Sequence, residues 1–177
     1  FVVANSMALP IVGGEKAVIA ICPCSRARMT LFRRGMVGIG DSIAEVRQKV
    51  TIAALQQMKR DRRKIVGVVV YDYQMARIVD RAGVDVVSVG DSVGVNMWGH
   101  AAEEDITLEE MLLVCKAVHR GVAHALVSCD LPGGASDLVA AARTLVREGG
   151  AEMVKVDSDP ETIRAIVEAG VPVWAQL

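Results

Sequence analysis

Short apolar runs alternate with helical stripes through the latter two-thirds of the chain. The runs are Ile65-Val-Gly-Val-Val-Val70, Val84 to Val89, Ala125-Leu-Val-Ser-Cys129, Met153-Val-Lys-Val156 and Val171 to Trp174. Each is rich in β-branched residues and too short for a surface helix, which predicts buried strands. Between them the apolar period changes. Met75, Ala76, Ile78 and Val79 fall on a helical spacing that Gly83 closes. Thr107-Leu-Glu-Glu110 has the form of a capping box, and Met111, Val114, Cys115 and Val118 continue from it as a stripe up to Gly121. A third helix is predicted from about Ser136 to Glu148, carrying Leu138, Ala142 and Leu145 and stopping at Gly149-Gly150. Asp159-Pro-Glu-Thr162 opens a fourth with a cap and a first-turn proline, and Gly170 ends it. Upstream, Ser42-Ile-Ala-Glu45 is another capping-box pattern, and Thr51 precedes Ile52, Leu55 and Met58 on one face.

Strands and helices that alternate about every thirty residues predict a parallel sheet with right-handed crossovers, hence an α/β fold. Two architectures satisfy the pattern: an open doubly wound sheet and a (β/α)8 barrel. The barrel normally needs roughly 250 residues, whereas about five strands are present here. Residues 41–177 read as one such domain. Residues 1–40 carry no comparable pattern and receive no role. Within them Ala17 to Cys22 is apolar but far too short to span a bilayer, and Pro10 with Gly13-Gly14 interrupts any secretory-signal order.

Composition sharpens this picture. The chain has 177 residues, 52% of them hydrophobic but only 3% aromatic, so the core is aliphatic, as in parallel sheets covered on both faces. Twenty basic residues against 21 acidic ones leave the net charge near zero, which argues against nucleic-acid and membrane partners. The four cysteines form no disulfide framework, and Cys22-Pro-Cys24 has poor zinc spacing with no second half-site. A reducing, cytoplasmic compartment is expected.

The candidate chemistry lies where the strands end. Val84 to Val89 turns abruptly polar at Gly90-Asp91-Ser92, the next strand ends at Asp130-Leu-Pro132, and the one after carries Lys155 and ends at Asp157. In a parallel sheet these ends share one edge, where the strand fixes a side chain and the loop leaves it open to ligand. Two or three carboxylates on one rim repel unless a cation lies between them. Oxygen donors without a His or Cys cluster favour a hard ion such as Mg²⁺, which keeps positions open for a chelating substrate. Lys155 suits an anionic group. Singly, each residue has an ordinary reading too: Asp91-Ser92 and Asp130 as turns, Lys155 as a surface lysine.

Six motifs then converge on one family. Tyr71-Asp-Tyr73, Val89-Gly-Asp-Ser92, Trp98-Gly-His100, Val118-His-Arg-Gly121, Asp130-Leu-Pro132 and Met153-Val-Lys155 occur in the order found in ketopantoate hydroxymethyltransferases, which the chain resembles from about Thr51 to Leu177. The resemblance implies a (β/α)8 TIM-barrel fold, here apparently incomplete, and a homo-oligomer, commonly a decamer in that family. It implies Mg²⁺ ligation by Asp91 and Asp130, with Asp157 where the family has a Glu that reaches the ion mainly through water. It implies that Asp91, Ser92, Asp130 and Lys155 bind a small 2-oxo acid. The implied reaction moves a one-carbon unit from 5,10-methylenetetrahydrofolate to 3-methyl-2-oxobutanoate through a Mg²⁺-stabilised enolate, giving 2-dehydropantoate and tetrahydrofolate.

The chain departs from the family pattern at several points. Val69-Val70 replaces Thr-Ala before Tyr71, and Lys155-Val-Asp-Ser-Asp159 replaces Lys-x-Glu-Gly-Gly. Glu103, Glu104 and Asp105 make the loop after His100 unusually acidic, and Ala175-Gln176 stands for Gly-His. The family's Glu base falls beyond Leu177, so the 177 residues alone are not expected to turn over substrate at a family-like rate. Two other readings remain: a Mg²⁺-dependent 2-oxo acid enzyme of the isocitrate lyase/phosphoenolpyruvate mutase type, and a non-catalytic relative.

Overall fold

The computed structural model describes residues 2–3, 18–21 and 47–176. The Ser42–Glu45 capping pattern and Cys22-Pro-Cys24 lie outside the described residues. Strands are β1 (Val2–Val3), β2 (Val18–Ile21), β3 (Val66–Val69), β4 (Val86–Val89), β5 (Leu126–Asp130), β6 (Met153–Asp157) and β7 (Val173–Gln176). Helices are α1 (Ile52–Arg60), α2 (Tyr73–Ala82), α3 (Leu108–Gly121), α4 (Leu138–Arg147) and α5 (Pro160–Glu168). One sheet joins the strands in the order β1-β3-β4-β5-β6-β7-β2. From β3 through β7 to β2 every pairing is parallel, and β1 joins the β3 edge antiparallel. Val18–Ile21, a stretch without an assigned role in the sequence, is thus a strand beside β7.

The helix ends follow the sequence signals. Thr51 Oγ1 accepts from the Ala54 N–H at 3.1 Å, Asp72 caps α2, and Thr107 with Glu110 completes the capping box of α3. Asp159 accepts from the N–H groups of Glu161 and Thr162, with Pro160 in the first turn. Gly83 closes α2 at φ 93°, a left-handed conformation that costs a side chain and not a glycine. Most strand and helix boundaries move by a residue or two, and two strand starts have a clear cause. The last strand begins at Val173, because Pro172 has no N–H to donate to a ladder. The Val84 N–H turns back to the Val79 carbonyl at 3.5 Å and finishes α2, so β4 begins two residues later than its apolar run.

Period two along the strands separates two packing faces. Val87, Val89, Val127, Cys129, Val154, Val156, Val173 and Ala175 pack against Met111, Val118, Leu145 and Ile166 of the covering helices. The alternate residues Val86, Leu126 and Met153 meet Leu55 and Met58 of α1, with Trp174 packed alongside. Burial of one such aliphatic side chain stabilises by about 1.5–3 kcal/mol, so the floor under the second face, though the smaller of the two clusters, still contributes several kcal/mol. The same second face carries Ser88, Ser128, Asp130 and Lys155 above that floor, as the strand parity requires. Cys115 and Cys129 are free and buried where α3 covers β5; burial first, and the adjacent thiol next, push the Cys129 thiol well above its usual range.

At the opposite end of the strands Asp80 ties α2 to β5. It is 3% exposed and accepts from the backbone N–H groups of Ala123, His124 and Ala125 at 3.1, 3.0 and 2.7 Å. Burial disfavours its charge, but those three donors outweigh it and hold the carboxyl below its ordinary range. Among the described residues no helix is long and apolar enough to cross a membrane.

Candidate active site

The parallel register sets the site. Asp130 and Lys155 are partners on adjacent strands, and both project to the face that α1 floors. Lys155 Nζ donates to Asp130 Oδ2 at 2.6 Å. Asp130 is 5% exposed, and its other oxygen, Oδ1, is buried without a hydrogen-bond partner. Burial is the largest influence on this carboxyl; the nearby Asp91 charge adds to it, Lys155 opposes it, and the result is pushed up to about 6. Lys155 moves upward as well. Burial, its largest single influence, disfavours the ammonium, but the charges of Asp130, Asp91 and Asp157 together exceed it. The two directions are compatible because Lys155 faces three carboxylates, whereas Asp130 is the more deeply buried of the two and has one cation and the Asp91 N–H set against burial and one further acid.

Asp91 begins the loop after β4 and folds its Oδ1 back onto the Ser92 N–H at 2.8 Å. Ser92 Oγ lies 2.9 Å from the Tyr71 hydroxyl at the end of β3, and Asn96 Nδ2 donates to that hydroxyl at 3.2 Å. This junction needs Gly90: a Cβ there would lie 3.0 Å from both Ser92 Oγ and Val69 Cγ1. Asp157 is exposed at the end of β6, in register with Gln176. The structure therefore brings Asp91, Asp130 and Lys155 together, places Ser92 beside Asp91, and sets Asp157 further out on the same rim.

A five-residue π turn, Gly94–Trp98, carries the chain away from Ser92. Its Val95, Met97 and Trp98 side chains are exposed. His100 returns the loop to the protein, with Nε2 3.4 Å from Glu110 Oε1 and its ring tilted against Trp98 at 6.1 Å. A separate open hollow of about 530 Å³ lies between the starts of α3 and α4, lined by Glu104, Asp105, Glu109 and Asp137 among others. None of the strand-end residues lines it, so the hollow and the candidate rim are separate features.

Among the described residues no group of three His, Cys, Asp or Glu side chains is gathered to hold an ion. Two carboxylates remain, Asp91 and Asp130, with Asp130 Oδ1 lacking a partner. A buried, unpaired acceptor beside a second carboxylate fits a hard cation that takes few protein oxygens and completes its shell with water and ligand. Tyr71 had a place in the motif pattern without a role, and Asn96 had neither. The parity of β3 could have pointed Tyr71 inward, because it lies two residues beyond Val69 on the same face.

Parallel strands that carry Asp91-Ser92, Asp130 and Lys155 at or near their C-terminal ends, with helices on their outer face, define an α/β protein with its candidate polar site at the C-terminal edge of the sheet. Residues 49–177 match the family described as ketopantoate hydroxymethyltransferase. A 3-methyl-2-oxobutanoate hydroxymethyltransferase from Moorella thermoacetica is 40% identical over 139 residues, covering 74% of this chain and 52% of the relative. The chain belongs to the ketopantoate hydroxymethyltransferase family. It spans about half the length of the curated relatives it matches.

Solved structures place the fold. The crystal structure of 2,3-dimethylmalate lyase, a PEP mutase/isocitrate lyase superfamily member, aligns with a TM-score of 0.57 at 18% identity, covering 72% of this chain and 52% of that one. A phosphonopyruvate hydrolase in complex with oxalate and Mg²⁺ aligns with a TM-score of 0.55 at 12% identity, covering 70% and 50%. The fold is therefore of the (β/α)8 TIM-barrel type, of which the strands described here are a part.

Proposed function

We propose that this chain forms part of a 3-methyl-2-oxobutanoate hydroxymethyltransferase, which moves a one-carbon unit from 5,10-methylenetetrahydrofolate to 3-methyl-2-oxobutanoate and yields 2-dehydropantoate. The observation that carries this reading is the Asp91, Asp130 and Lys155 cluster, with Asp130 Oδ1 buried and unpaired, inside the segment that matches the family. In this reading Asp91 and Asp130 hold Mg²⁺, and Asp157 supports it from the rim. Bound there, Mg²⁺ supplies Lewis acidity toward the 2-oxo acid's carbonyl, which acidifies the adjacent C–H. Lys155 balances the charge of Asp130 and faces the anionic ligand, and the Ser92 hydroxyl donates to its carboxylate. The floor made by Leu55, Met58, Val86, Leu126 and Met153 keeps water from the underside of these groups. We further propose a cytoplasmic homo-oligomer with neither nucleic acid nor membrane as partner.

A second reading, a lyase or mutase acting on another 2-oxo acid, has the fold likeness in its favour. That likeness, at 18% identity for the lyase, speaks to architecture, while the sequence relation speaks to the hydroxymethyltransferases. The test is calorimetric titration of Mg²⁺ in the presence of 3-methyl-2-oxobutanoate. The parent protein should bind both together, and Asp91→Asn should weaken Mg²⁺ at least tenfold, about 1.4 kcal/mol. Equal binding by Asp91→Asn removes the metal assignment, and preference for oxaloacetate-like acids over 3-methyl-2-oxobutanoate favours the second reading.

A further inference from the structure

We infer that Tyr71 and Asn96 fix the direction of the Ser92 hydroxyl proton, and thereby make the site select a carboxylate over a neutral carboxamide; this rests on the 2-oxo acid reading above. The argument is one of donors and acceptors. The amide nitrogen of Asn96 can only donate, and it lies 3.2 Å from the Tyr71 hydroxyl. Tyr71 Oη therefore accepts from Asn96. Its own proton is then left for Ser92 Oγ at 2.9 Å. Ser92 Oγ accepts there, and its proton is free for a third atom. Each link in such a chain polarises the next, so the terminal Ser92 O–H is a stronger donor than an isolated hydroxyl.

The surroundings leave this hydroxyl as the donor that Ser92 can offer. Its backbone N–H is already taken by Asp91 Oδ1 at 2.8 Å. The relay is also built into the backbone. The Asn96 N–H bonds the Ser92 carbonyl at 2.9 Å, which puts Asn96 one turn beyond Ser92 on the same side of the loop. Gly90 leaves the space through which the Ser92 and Tyr71 side chains meet, since a Cβ there would come within 3.0 Å of Ser92 Oγ. Were the chain to run the other way, Ser92 would give its proton to Tyr71 and present lone pairs to an incoming carboxylate. Tyr71 and Asn96 are thus positioning residues that act through Ser92.

The experiment is calorimetry on the full chain with Mg²⁺, using 3-methyl-2-oxobutanoate and its carboxamide as probes. Tyr71→Phe should weaken the acid about tenfold and Asn96→Leu about threefold, with the carboxamide changed far less. In a Ser92→Ala background neither change should weaken the acid further. Circular dichroism and thermal melting establish that each variant is folded. Should Tyr71→Phe fail to fold, the exposed Asn96→Leu substitution carries the same comparison. Equal losses for acid and carboxamide, or a full effect of Tyr71→Phe in the Ser92→Ala protein, would show that the two residues merely pack the loop and would overturn the inference alone. A Ser92→Ala protein that binds the acid undiminished would likewise overturn the inference alone, whereas a parent protein that binds no 2-oxo acid would overturn the 2-oxo acid reading and this inference with it.

Discussion

Replacing Lys155 by methionine isolates the electrostatics of the rim, because the stem keeps its packing and only the ammonium is lost. In the parent, Asp130 titrates at about 6 where an ordinary aspartate has 3.8. Between those values the native state keeps a proton that the unfolded chain has released, so stability falls as pH rises through the window. The parent's fall ends near pH 6, having reached on the order of 3 kcal/mol at about 1.4 kcal/mol per pH unit. Without the ammonium, burial and the Asp91 charge both oppose ionisation and only the Asp91 backbone N–H, the weakest of the influences, is left to favour it. The carboxyl then holds its proton beyond neutrality, and the fall continues. At pH 7.5 the variant should have lost up to about 2 kcal/mol more than it has at pH 5, relative to the parent. The titration of Lys155 itself does not enter. Its ammonium is raised above 10.5, so its stabilisation is fully present throughout this range and is lost only above it. Urea unfolding of both proteins with a chelator, followed by circular dichroism at pH 5, 6.5 and 7.5, measures the divergence. Parallel pH profiles would refute the reasoning, since a solvent-exposed ion pair contributes only about 0–1 kcal/mol.

Asp80→Leu leaves the N–H groups of Ala123, His124 and Ala125 without their acceptor in a buried position, and should cost more than about 3 kcal/mol in chemical denaturation. The parent's Asp80 contribution is present above pH 3.8 and is lost as pH falls through its depressed native value, so the stability gap between parent and variant should narrow as the pH is lowered below 3.8. Gly150→Ala should lose about 1–3 kcal/mol in thermal melting, because φ is +81° and the new Cβ would fall 2.5 Å from the His119 ring. Adding His119→Ala should restore the part due to the contact and leave the part due to the backbone.

Much of the architecture was legible because it is local. The capping patterns at Thr51, Thr107 and Asp159 and the stop at Gly83 depend on residues three or four apart, and each stands where the pattern put it. The edge on which Asp91, Ser92, Asp130, Lys155 and Asp157 gather was also legible, since parallel strands of known order end together. Their mutual arrangement was not. Whether Lys155 faces a ligand or Asp130 depends on the cross-strand register, which no single strand encodes; here the ammonium lies on Asp130 Oδ2 at 2.6 Å. Tyr71 and Asn96 were silent for a similar reason. Their hydroxyl and amide meet across 25 residues of chain, and only the folded loop makes them neighbours. Val18–Ile21 lacked a flanking helical stripe, so its apolar run had nothing to identify it as a strand partner of β7.

Loops on the rim of a sheet usually accept insertions and deletions readily. The one after β4 is counted. The Gly94 carbonyl receives the N–H groups of both Gly99 and His100, and Gly99 reverses direction at φ 75°, so the π turn closes as a ring of fixed length. Removing one residue from Gly94–Trp98 would tighten it to an ordinary helical turn and rotate everything beyond by about a hundred degrees. His100 would leave Glu110, and its ring would leave the space above Gly94, where a Cβ would already come within 2.8 Å. Length variation, harmless in most surface loops, should therefore be as disruptive here as a substitution in the core.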